Sequence, residues 1–187
     1  MKKVIYLLLF VSIIFIIYSF NYFNQYHIED KTTSIQSELK EWINRGSGLI
    51  EPEVIKRVQL DDTNSYIASF RTKSGNIGYA QLIKGWNGKF KIVVAGHGDG
   101  DDVVDYQKIK TSDGIYGVVV GRNPDMKIDH IKTDLYDEEF NFTSTVSSDK
   151  TYVKYHMLPP DIENPFPAEV TLFDKNNTEI YHPYLFQ

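Results

Sequence analysis

The chain has 187 residues, with 20 basic and 25 acidic side chains, a formal charge of −5 and no cysteine. That balance argues against nucleic acid or an anionic lipid surface as the main partner, since both reward a basic face, and the missing cysteines exclude disulfides, a thiol nucleophile and a lipid-modified cysteine anchor. An apolar content of 42%, including 13 Tyr and 11 Phe, belongs to a chain that packs a core.

Residues 4–20 are apolar or aromatic except for Ser12 and Ser19, and Lys2 and Lys3 stand directly before them. About 20 such residues at roughly 1.5 Å rise cross a hydrocarbon layer of about 30 Å, and Tyr22 and Phe23 extend the run into the interface where rings prefer to lie. Residues 1–24 are thus expected to be a cytoplasmic tip and a transmembrane anchor. The rival is a cleaved signal peptide. Against it stand the length of the run and its exit, Tyr18-Ser19-Phe20-Asn21-Tyr22-Phe23, which is bulky where a peptidase needs small side chains. The first basic residue beyond the run is Lys31, after Glu29 and Asp30, so the positive-inside rule predicts a cytoplasmic amino end at the cell membrane and an extracytoplasmic remainder. That remainder, about 160 residues, suits one domain.

Ile28, Ile35, Leu39, Trp42 and Ile43 recur at helical spacing and predict a juxtamembrane helix over 27–44, within a segment 25–48 that closes on the hinge Arg45-Gly46-Ser47-Gly48. Either a stalk or a helix folded back on the domain fits this pattern. After Pro52 the period changes to two. Short β-branched and aromatic runs at 54–60, 65–71, 77–84 and 90–95 are divided by Lys73-Ser74-Gly75-Asn76 and Trp86-Asn87-Gly88-Lys89. Asn87-Gly88 predicts a type I′ hairpin turn, and the two turns together a three-stranded meander. Further runs follow at 103–110, 115–121, 127–135, 140–146, 151–157, 169–173 and 179–185, with Pro159, Pro160, Pro165 and Pro167 marking one long extended connection. The expected fold is mainly β: one antiparallel, sandwich-like ectodomain over 49–187 behind the two helices.

Gly78-Tyr79-Ala80, Lys84-Gly85-Trp86-Asn87-Gly88-Lys89-Phe90-Lys91-Ile92, Gly121-Arg122-Asn123-Pro124 and Lys127-Ile128 resemble a group of small membrane-anchored extracytoplasmic proteins of Gram-positive, spore-forming bacteria. The resemblance covers about residues 60–135 and implies an anchored protein of the bacterial envelope. No activity is assigned to the group, so it implies no functional residues.

Asp99, Asp101, Asp102 and Asp105 in a glycine-rich loop offer oxygens to a hard cation of calcium type, although Lys110 stands where an EF-hand needs its bidentate Glu. The competing reading is a solvated acidic loop. His97 beside it suggests a general base, and a membrane-tethered hydrolase built on His97 and the acidic loop is the enzymatic alternative. Ser37-Glu38-Leu39-Lys40, Ser74-Gly75-Asn76 and Lys110-Thr111-Ser112 imitate the serine acyl-enzyme motifs in order, but the expected helix and hairpin contexts are wrong for that chemistry. Trp86, at a turn, is expected to be exposed and able to dock a sugar ring or a protein partner. The expected function is an extracytoplasmic binding or assembly module of the envelope with no catalytic residues and no cofactor, held to the membrane by its first helix. It would meet an envelope protein or wall component through Trp86, strand edges and the tail Tyr181-His182-Pro183-Tyr184-Leu185-Phe186. A third expectation is the outer subunit of a signalling or transport complex.

Overall fold

Residues 2–25 contain neither glycine nor proline, so nothing interrupts the i→i−4 ladder, and they form one helix, α1 (Lys2–Gln25), about 36 Å long. The computed structural model describes residues 2–46, 48–98 and 104–181. From Lys3 to Gln25 the helix is long and apolar enough to cross a membrane, and its most apolar stretch is nowhere buried by the rest of the chain. A helix greasy all round and uncovered by protein requires another apolar environment.

The second helix, α2 (Thr32–Ile43), is shorter than the periodicity of 27–44 predicts. Ile28 is taken by a β-bridge to Phe90, and the helix starts only at Thr32, after a bend at residues 30–31. Ile35 and Leu39 are buried, so α2 folds back on the domain instead of standing as a stalk.

Eleven strands follow: β1 (Glu53–Gln59), β2 (Ser65–Arg71), β3 (Ile77–Lys84), β4 (Phe90–His97), β5 (Val104–Lys110), β6 (Ile115–Arg122), β7 (His130–Leu135), β8 (Asn141–Thr145), β9 (Thr151–Met157), β10 (Ala168–Phe173) and β11 (Glu179–Tyr181). They pair antiparallel in three sheets ordered β1-β2-β3-β4, β5-β6-β9 and β11-β10-β7-β8. The first is a meander of four strands where the two turns alone describe three.

The period-two alternation sends each strand's side chains into two different cores, and this stacks the layers as α2, first sheet, second sheet, third sheet. Ala68, Phe70, Ala80 and Leu82 face Ile35 and Leu39 of α2. From the same strands Ile67, Ile77 and Tyr79 face Tyr116, Val118 and Val120 of β6. Val119, on the other side of β6, joins Tyr106 and Tyr152 against Ile131, Val170 and Leu172 of the third sheet. The middle strand of the middle sheet is therefore buried on both faces, which is why Tyr116-Gly117-Val118-Val119-Val120-Gly121 reads as a continuous apolar run. Gly121 lies where a β-carbon would strike the ring of Tyr152.

The hairpin turn at Asn87-Gly88 is not type I′. Gly88 N–H donates to Gly85 O at 3.0 Å, Gly85 N–H donates to Lys89 O at 2.8 Å, and positive φ is confined to Gly88 at 77°. Type I′ needs positive φ at both central residues, whereas a turn closed by one left-handed residue leaves Asn87 unstrained. The same arrangement recurs at Thr72–Asn76 with Gly75 and at Asp174–Thr178 with Asn177 in the left-handed role.

Candidate functional site

The tip of the β3–β4 hairpin meets the end of α1. Tyr22 and Tyr26 lie one helical turn apart, so their rings stack, with centroids 4.5 Å apart and planes at 22°. Trp86 lies against the other side of this pair, 4.8 Å from Tyr22 at 23°, and Phe23 meets the indole edge-on at 5.4 Å. Backbone polar groups fix the register. Trp86 N–H donates to the Tyr22 hydroxyl at 2.7 Å, and the Asn87 side-chain amide donates to Tyr26 O at 2.9 Å. Gly85 makes the approach possible, because a β-carbon there would collide with the Tyr22 hydroxyl and the Tyr26 ring. Two residues on, Ile28 and Phe90 exchange both backbone hydrogen bonds, at 3.1 and 2.8 Å.

Charge secures the next turn of chain. Asp30 receives Lys84 Nζ at 2.9 Å and pairs with Arg57. Burial pushes the Asp30 carboxyl up, but the hydrogen bonds and charges of Lys84 and Arg57 outweigh it and hold the group below its ordinary value. Both cations also lie over the ring of Phe90, at 5.0 Å for Arg57 and 5.4 Å for Lys84. His27 Nε2 pairs with Glu38 of α2 at 3.1 Å; this hydrogen bond raises the imidazole pKa above its ordinary 6.5 against an opposing desolvation.

A cavity of about 390 Å³ opens between the end of α1, α2 and β4. It is lined by Asn24, Gln25, His27, Glu38, Trp42, Arg45 and Lys91 among others. Arg45 lies 4.2 Å over the Trp42 ring, and Lys91 Nζ lies 4.7 Å over Tyr26 while donating to Gln25 Oε1 at 3.3 Å.

Trp86 is exposed, at 72%, but one face of its indole is already occupied by the chain's own apolar helix α1. Of the candidate cation ligands, Asp99, Asp101 and Asp102 lie outside the described residues. Asp105 sits on β5, where its carboxylate accepts from the Gln107 side-chain amide at 3.1 Å. Among the described residues no group of three or more His, Asp or Glu is placed to hold a metal ion. His97 ends β4, with Nδ1 3.0 Å from Gly98 O. Ser37 lies on the exposed side of α2, Ser74 in the β2–β3 turn and Lys110 at the end of β5, contexts foreign to the acyl-enzyme motifs they imitate. The tail 182–187 lies outside the described residues.

Sequence patterning picks out Trp86 but not its partners. Tyr22 and Tyr26 at i and i+4 beyond an apolar run, and a glycine directly before Trp86, are the signals that point to the hairpin docking on α1. Comparison with known proteins gives no match to any family model, curated protein or solved structure.

Proposed function

We propose that the chain is a single-pass, amino-terminally anchored protein whose β stack serves as a binding or assembly module at the outer face of a bacterial membrane. The observation that carries this is the clasp of Trp86 on Tyr22. The β domain's hairpin tip is built around the last turns of the apolar helix, so losing that helix as a signal peptide would strip Trp86 of its stacking partner. Tyr22, Phe23, Tyr26 and Trp86 then form an aromatic belt at headgroup depth. Lys2 and Lys3 directly precede the span, whereas the first cation beyond it, Lys31, lies six residues past Gln25, which supports an inside amino end.

A tether confines the module to the membrane plane and raises its effective concentration toward envelope or wall components, so weak contacts suffice. The clasp adds a fixed attitude: the three sheets present the same surfaces outward in every copy. Protease added to intact cells tests the topology. Degradation of a carboxyl-terminal tag without opening the cytoplasm is the expected result, and protection of the tag until lysis would reverse the orientation.

A further inference from the structure

We infer that the cavity between α1, α2 and β4 binds the phosphate of an anionic lipid headgroup. The inference rests on the anchored reading above, because depth supplies the ligand. Gln25, on the cavity wall, follows Phe23 by two residues, or about 3 Å along the helix axis, so the opening lies in the headgroup layer if α1 spans the bilayer.

The wall chemistry suits a phosphodiester. Arg45 and Lys91 both line the cavity; Arg45 lies over the Trp42 ring and Lys91 over Tyr26 with one donor on Gln25 Oε1, and among the described residues neither is in an ion pair, so each keeps further donors for a ligand. The carboxylate on the wall is Glu38, and it is bonded to His27. Two full positive charges are therefore not offset by the cavity's own acid. Trp42 and the exposed Val93 give the same cavity an apolar side for the glycerol portion. A chain of net charge −5 is repelled by an anionic surface at long range, so this chemistry retains a single lipid in a local site and does not coat the domain with lipid.

The test uses the full-length protein extracted in mild detergent and mixed with equal amounts of phosphatidylglycerol and phosphatidylcholine, with bound lipid read by native mass spectrometry. One phosphatidylglycerol retained about tenfold over phosphatidylcholine is expected from two charge-assisted contacts. The variant Arg45→Gln/Lys91→Gln should bring the ratio to parity, while Arg45→Lys/Lys91→Arg, which keeps both charges, and Lys108→Gln/Lys110→Gln, which makes the same charge change on β5, should leave the preference in place. Equal retention by the wild-type protein, or an equal loss in the β5 variant, would overturn the assignment. Displacement of the lipid by millimolar inorganic phosphate would place recognition in the free anion and overturn it too. The intact mass in the same spectra separates the two levels: a chain lacking α1 fails the anchored reading and this inference together, whereas a full chain without lipid preference fails this inference alone.

Discussion

At the residue scale the account rests on a few contacts that only their neighbours make possible. Stacked rings contribute about 0.5–1.5 kcal/mol beyond the area they bury, so a double-mutant cycle of Tyr22→Ala and Trp86→Ala, read by unfolding of the full chain in micelles, should return a coupling in that range. Additive losses would mean that the two rings do not meet. Gly85→Ala puts a methyl group where the Tyr22 hydroxyl and Tyr26 ring lie, and overpacking of this kind costs about 1–3 kcal/mol. The expected readout is a red-shifted Trp86 emission with the β circular dichroism unchanged. Two titrations at the junction have opposite signs. The Asp30 carboxyl is depressed below 3.8, so its contribution is complete above that pH and is lost as the pH falls through the lower native value. The His27 imidazole is raised above 6.5, so its pairing with Glu38 contributes fully below that pH and fades as the pH rises through the higher native value. Thermal midpoints followed across pH should lose the acid limb in Asp30→Asn and the neutral limb in His27→Gln.

At the scale of elements, local chemistry accounts for much of what was legible. The strands at 65–71, 77–84 and 151–157 begin and end where the alternation and turn residues place them, and for the first two Gly75, Gly88 and their neighbours satisfy the turns locally. The helix predicted from 27 fails at its start because Ile28, apolar and correctly spaced for a helix, forms its bonds with Phe90, 62 positions away. Periodicity sees spacing within a segment and not the free edge waiting in another. The same limit hides the site: Trp86 is visible as a turn aromatic, but it meets Tyr22, and Lys91 meets Tyr26, only when the hairpin reaches α1. The docking of α2 has its own test. Leu39 is fully buried against the first sheet, so Leu39→Ala should cost about 2–5 kcal/mol in urea unfolding. A loss below about 0.5 kcal/mol, as at an exposed site, would return α2 to a free stalk.

For the whole molecule, the missing cysteines and the modest size place all stability on burial, and a stack of three sheets under one helix meets that demand with three cores, one between α2 and the first sheet and one between each pair of successive sheets. The mainly β, antiparallel class follows from turn spacing, but the layer order does not, since β9 returns to β6 across the intervening β7–β8 hairpin and no short-range signal encodes that return. The clasp joins this stack to α1, and the proposed role depends on both remaining one chain. The most direct test is the intact mass of the protein recovered from its native membrane. The account predicts the complete chain of 21.6 kDa in the membrane fraction, with Tyr22 and Trp86 in the same molecule. A shortened protein free in the medium, beginning beyond Phe23, would contradict it.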